Sequence, residues 1–267
     1  MGLFDVHAHL THQQFNSDLP AVLSRARTAG LTSIISNGLN LDDNRAVLEL
    51  ARREPLVRPA LGLYPVDAVL PEMRAAGVDY PREGEEHGAD AAIEFIENHL
   101  DEAFAIGEVG LDGYWVPEAF WPRQEEVFRR LIILALDADL PLIVHTRKRE
   151  QRTFEILREY QCKRVIWHCF SSKLKLAEQI TALGHYISIP CNARRSDGFT
   201  KMLQRLPRNQ LLLETDCPYL GPTSGERNEP DRVRATLEFA AELWGTRVDD
   251  ALEVFEENYR TLFRCVP

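Results

Sequence analysis

Short apolar runs alternate with longer stretches of helical periodicity from one end of the chain to the other. The runs at 3–9, 31–37, 57–63, 103–109, 140–146, 164–170, 185–191 and 211–217 carry Ile, Val, Leu and Ala at both odd and even positions. A strand with one wet face alternates apolar and polar side chains. Runs that are apolar on both parities therefore predict strands covered on both faces, as in a parallel sheet. Helical patterns fill 18–30, 42–54, 89–100, 118–138, 150–160, 173–183 and 198–206, and one or two closing helices are predicted over 231–244 and 249–263. The first helix has capping residues Asn16, Ser17 and Asp18 ahead of it and Gly30 behind it.

Eight strands, each followed by a helix, within about 250 residues predict an α/β fold of the TIM (β/α)8 barrel type. A doubly wound open sheet is the alternative, but its glycine-rich first turn is missing. No internal repeat, low-complexity tract or Ser/Gly linker divides the chain, so a single domain over 1–267 is expected. The segment 65–90 is polar with poor periodicity and is predicted to be a long loop or surface insertion.

Composition narrows the class. The 267 residues are 45% hydrophobic and 27% charged, which is normal for a globular protein. No apolar run reaches the roughly 20 residues needed to cross a bilayer, and the N-terminus lacks a basic stretch followed by an apolar one. No membrane association and no secretory signal are expected, hence a cytoplasmic protein. The five cysteines are odd in number and form no C-x-x-C pair, which fits free thiols in a reducing compartment. A net charge of −10 and a pI near 5.4 argue against coating nucleic acid through general electrostatics. They leave room for local phosphate recognition by a few well-placed basic residues.

The chemistry begins in "LFDVHAHL". His7 and His9 are two apart, so on a strand both imidazoles leave from the same face. Glu108 lies at the predicted end of the fourth strand, His145 of the fifth, His168 of the sixth and Asp216 of the eighth. Six metal-ligating groups thus gather at the carboxyl ends of five strands, the end where TIM barrels place their chemistry. The remaining histidines, His12, His87, His99 and His185, fall elsewhere, and bland packing gives no reason for that sorting. Four imidazoles and two carboxylates exceed what one tetrahedral ion uses, so two divalent metal ions sharing a carboxylate are expected. Mixed N/O ligation suits Zn, Mn, Fe, Co or Ni, with Mg still open.

"FDVHAHL", "IGEVGLD", "IVHTR", "HCF", "LLLETDCPYLGP" and "RNEP", in this order, resemble the TatD-family metal-dependent hydrolases of the amidohydrolase superfamily. The resemblance covers nearly the whole chain. It implies a TIM barrel whose metal centre hydrolyses phosphodiesters, typically as a deoxyribonuclease, with nucleic acid, DNA first, as substrate. The family's ligands map onto His7, His9, Glu108, His145, His168 and Asp216. The pattern also implies catalytic roles for two of them: Glu108 bridges, and Asp216 binds metal and accepts a proton from the attacking water. One departure stands out. Where many members have G-x-H-P-H after the third strand, this chain reads "GLYPVDA", so Tyr64 and Val66 replace both histidines. Tyr64 remains a candidate hydrogen-bond donor to substrate.

Basic residues follow three strand ends: Arg147, Lys148, Arg149 and Arg152 after the fifth, Arg194 and Arg195 after the seventh, Arg227 and Asn228 after the eighth. A basic mouth on an acidic body would focus an anion there. Arg147, which matches the family's H-S/T-R motif, is the first substrate candidate, and Arg227 and Asn228 follow from "RNEP". Tyr114, Trp115 and Trp121 could offer a stacking surface. A second reading keeps the site and changes the bond: an ester or amide hydrolase such as an aminoacyl-tRNA deacylase. A third makes the chain a metal-binding component of a larger complex, which six retained ligands speak against.

Overall fold

Strands form at all eight predicted runs: β1 (Leu3–Ala8), β2 (Leu31–Asn37), β3 (Val57–Leu61), β4 (Ala105–Asp112), β5 (Leu142–Arg147), β6 (Val165–Trp167), β7 (Tyr186–Ile189) and β8 (Leu211–Leu213). They belong to one sheet in the sequential order β1 to β8, and the described pairings are parallel. This is the TIM-barrel connectivity expected from the apolar runs. The helices between and after them are α1 (Leu19–Thr28), α2 (Leu41–Arg53), α3 (Leu70–Ala75), α4 (Ala89–Glu97), α5 (Trp121–Asp137), α6 (Glu150–Glu159), α7 (Leu174–Ala182), α8 (Asp197–Arg205), α9 (Val233–Trp244) and α10 (Val248–Phe263). The computed structural model describes residues 2–81 and 87–264. Among these, no helix is long and apolar enough to cross a membrane.

The residues group into two compact units interleaved along the chain: 1–36, 50–58 and 166–267 form the first, 37–49 and 59–165 the second. In the first unit, β1 runs beside β2 with Leu3 opposite Leu31 and Ala8 opposite Ser36. On its other side β1 meets the segment after β8. His9 N donates to the Cys217 carbonyl and Asp216 N to the His7 carbonyl, each at 2.8 Å. The closing helix α10 lays Tyr259 flat on Phe4, ring centroids 4.0 Å apart, and joins its hydroxyl to Ser33 Oγ. Trp167, Phe15, Phe170, Leu10 and Leu23 are fully buried here.

In the second unit β4 lies between β3 and β5. Helix α5 buries Gln124, Val127, Phe128, Leu131, Ile132 and Ala135, a stripe at the three- and four-residue spacing of one helix face. Gln124 is the polar member of that stripe. Its amide donates to the carbonyls of Pro65 and Asp112, and its oxygen accepts from Asp112 N, pinning the end of β4.

Two expectations need correction. The segment 65–90 is not a plain loop: a 3-10 turn at Asp67–Val69 runs into α3, and α4 begins at Ala89. Val66, Val69 and Met73 are fully buried against Val116. Pro71 occupies the first turn of α3, where its missing N–H costs nothing. Residues 82–86 of that segment lie outside the described residues. Second, Glu108 is not at the end of its strand. It stands in the interior of β4, which continues to Asp112.

Candidate metal centre

β1 places His7 in the strand and His9 just past its end, and the same-face expectation is met: their Nε2 atoms are 3.3 Å apart. Asp216 joins them, its Oδ1 at 3.3 Å from His9 Nε2 and 3.7 Å from His7 Nε2. β8 ends at Leu213, so strand geometry does not aim Asp216. Its backbone is left-handed, φ 55°, a conformation that Asp adopts more readily than most residues. The hydrogen bond from Asp216 N to β1 holds that turn. Burial pushes the Asp216 carboxyl up, but the hydrogen bond from His9 and the charges of His168, His7 and His9 outweigh it and hold the group below the usual range.

Two ring nitrogens and a carboxylate oxygen thus face one another at 3.3, 3.3 and 3.7 Å in a largely buried setting. A tetrahedral ion bound at about 2.0–2.1 Å holds its ligand atoms about 3.3–3.4 Å apart, and an octahedral one about 3.0 Å. The triangle therefore fits a divalent cation, which would also relieve the facing lone pairs. His168 completes this unit's share of the predicted ligands. It follows β6 and stacks on His7 with ring centroids 3.7 Å apart.

Sequence reasoning passed over the carboxylates behind this group. Glu214 is fully buried, accepts from Ser188 Oγ at 2.6 Å and Cys169 N at 2.8 Å, and has its Oε2 3.4 Å from His168 Nδ1. Glu214 is thus a fixed carboxylate facing the His168 ring. Asp5 is also fully buried. Its Oδ1 accepts from Thr215 N and His7 N and its Oδ2 from Thr215 Oγ1, tying β1 to the segment after β8. Burial raises its carboxyl to about 8 against these bonds. Replacing Thr215 with Val keeps the shape and removes one donor to a buried carboxyl. The expected cost is about 1–3 kcal/mol in a denaturant titration. A loss below a few tenths would show that this strut does not matter. Both residues sit in motifs already read, "FDVHAHL" and "LLLETDC", where the histidines and Asp216 drew the attention.

In the second unit, Glu108 Oε1 lies 2.8 Å from His145 Nδ1, and Asp112 Oδ2 lies 3.2 Å from His145 Nε2. Asp112, the true end of β4, is the third residue missed. Burial raises its carboxyl, while the His145 hydrogen bond and charge and the Trp115 and Tyr114 amides lower it further, to a net depression. Two glycines permit this arrangement. A Cβ at Gly62 would lie 2.3 Å from Glu108 N, and one at Gly110 (φ 145°) 2.0 Å from the His145 carbonyl oxygen. Tyr64 meets the His145 ring edge-on at 4.9 Å, so it stands beside this group.

The predicted basic mouth is thinner than the sequence suggests. Arg149 and Arg152 are paired with Glu125, and Arg194 with Glu242. Arg195 donates to the Gly221 carbonyl. Arg227 is bound to Asp18, Glu229 and the Gln14 carbonyl. Asn228 is buried, its amide donating to the Thr215 carbonyl and accepting from Glu229 N, so it braces the turn carrying Asp216. Among the described residues, Arg147, Lys148 and Arg195 are the basic members of that set with no ion pair. The Cys217 side chain is buried.

Residues 4–264 match the family described as TatD related DNase. The chain is 32% identical to deoxyribonuclease TATDN3 of Homo sapiens over 274 residues, 98% of this chain and 95% of that protein. It is 30% identical to the 3'-5' ssDNA/RNA exonuclease TatD of Salmonella typhimurium over 279 residues, 99% of this chain and 100% of that protein. Among solved structures, YJJV, a TatD homolog from Escherichia coli K12, is similar with a TM-score of 0.85 and 28% identity, covering 99% of this chain and 98% of that one.

Proposed function

The chain belongs to the TatD related DNase family, and from that premise we propose that it is a metal-dependent hydrolase of DNA phosphodiesters, with His7, His9 and Asp216 at the heart of its metal centre. The family pattern adds His168, Glu108 and His145 to the ligand set, and six such ligands favour two ions. One observation carries the reading: three ligand atoms at metal-compatible spacing in a largely buried setting, contributed by segments more than 200 residues apart.

A divalent cation held by these residues supplies Lewis acidity to a phosphodiester and acidifies water. The protein's own groups supply the rest. Asp216, held in its ionised form, accepts the proton of the attacking water at a carboxylate oxygen. Glu214 keeps the His168 ring in place. Arg147 has a planar fork suited to two hydrogen bonds with a phosphate. The five cysteines, odd in number and without a C-x-x-C pair, support a reducing, cytoplasmic location.

The test is hydrolysis of an end-labelled DNA oligonucleotide by chelator-stripped protein, before and after adding back Zn, Mn, Mg, Fe, Co or Ni. Activity is expected only after metal is restored, with elemental analysis giving close to two ions per chain. Cleavage that persists without metal would end the reading. Hydrolysis of an acyl ester with the oligonucleotide left intact would favour the acyl-hydrolase alternative.

A further inference from the structure

Past the end of β4, the chain leaves two consecutive aromatic side chains in solvent: Tyr114 is 53% exposed and Trp115 41%. They are not on a slack loop. Asp112 Oδ1 accepts from both backbone amides, Tyr114 N and Trp115 N, at 2.7 Å each. Gly113 N donates to the Arg147 carbonyl at 2.7 Å, which fastens the same turn to the end of β5. Asp112 Oδ2 meanwhile faces His145 Nε2. One carboxylate therefore fixes both the aromatic turn and a proposed metal-ligating ring.

The Arg147 guanidinium lies over Tyr114, 3.8 Å from its ring centroid, and 6.0 Å from that of Trp115. Tyr114 and Trp115 stand perpendicular, and Trp115 is backed by Tyr80 at 5.5 Å. Arg149, which also follows β5, covers Trp121 instead and is spent on Glu125. Tyr114, Trp115 and Arg147 thus form a rigid surface of ring faces with one cation whose charge is not engaged in an ion pair among the described residues.

We propose that Tyr114, Trp115 and Arg147 form the platform on which unpaired nucleotides of a single-stranded substrate rest, bases on the rings and a phosphate on the guanidinium. The proposal rests on the nuclease reading above and narrows it to strands with unstacked bases. Any base has a π-face, so such a platform binds without demanding a sequence. A duplex keeps its faces covered by its own neighbours, and only splayed bases can stack on protein rings. Arginine suits the third position because its plane stacks and its fork grips phosphate, neither of which lysine does as well. An acidic chain gains little from diffuse attraction to nucleic acid, so stacking at a fixed point is the stronger way to hold it.

The test is fluorescence anisotropy with a labelled thymidine decamer and a labelled hairpin duplex, in chelator so that no cleavage occurs. The wild type is expected to bind the single strand and to prefer it over the hairpin. The double substitution Tyr114→Ala, Trp115→Ala is expected to weaken single-strand binding about 5- to 150-fold for each base that loses its stack. Tyr114→Phe with Trp115→Phe keeps two ring faces and should stay within a few-fold of wild type, which a merely structural role for the tyrosine hydroxyl or indole N–H would not allow. Unchanged binding by the alanine variant, equal loss in the phenylalanine variant, or equal wild-type affinity for the hairpin would each overturn the platform. Failure of metal-loaded wild type to cleave the same decamer, with binding intact, would instead count against the nuclease reading.

Discussion

Asp216→Asn is expected to lower cleavage of a DNA oligonucleotide by about 10²–10⁴-fold, the range lost when a positioned acid–base group is removed. The substitution is nearly isosteric. The left-handed turn at φ 55° also suits Asn, and the hydrogen bond from Asp216 N to the His7 carbonyl involves only main chain. The fold should therefore survive, which circular dichroism and a melting curve would verify. What disappears is the negative charge facing two imidazole nitrogens at 3.3 and 3.7 Å. Asn offers a neutral oxygen to a cation and cannot take a proton from water. The stripped and reconstituted variant should also carry less metal than wild type. Full activity with full metal content in a well-folded Asp216→Asn protein would remove this residue from the chemistry.

Much of this centre was legible because its signals are local. Two histidines separated by one residue in an apolar strand must share a face, and they do. The eight runs could be read because strands covered on both sides have no polar positions to confuse the pattern. Asp216 was also found, although for an incomplete reason: strand parity stops at Leu213, and the left-handed turn does the aiming. Glu108 was misplaced because its run looks complete before Gly110. That glycine's φ of 145° instead lets β4 continue to Asp112, so the strand ends on a carboxylate that faces His145.

Asp112, Glu214 and Asp5 were not legible as functional residues because each also takes a partner far along the chain: His145, Ser188 and Thr215. Thr215 lies 210 residues from Asp5, and nothing in the spacing of charged residues records such a pairing. The basic rim shows the same blindness in reverse. A cluster of arginines in sequence suggests an anion site, but acids from other elements claim several of them, as Asp18 claims Arg227. Only the folded chain shows that Arg147 stacks on an exposed ring while Arg149 and Arg152 share Glu125.

The largest effect on stability should come from Trp167→Ala, expected to cost about 3–5 kcal/mol in urea unfolding. Trp167 is the last residue of β6, fully buried, and packs edge-on against Phe170. Its indole Nε1 donates to His185 Nδ1 at 3.1 Å. Alanine removes the ring and that donor together, against a total stability of about 5–15 kcal/mol for a typical fold. Trp167→Phe separates the two contributions. It keeps most of the buried ring and loses the donor, so about 1–3 kcal/mol is expected. The position matters to the site because β6 is only three residues long and His168, stacked on His7, is the next residue. With the indole gone, that short strand loses its anchor on one side of the histidine. The alanine variant should therefore bind metal more weakly as well as unfold earlier. If it unfolds within 1 kcal/mol of wild type, the indole does not anchor β6, and the His168 ring takes its position from His7 and Glu214.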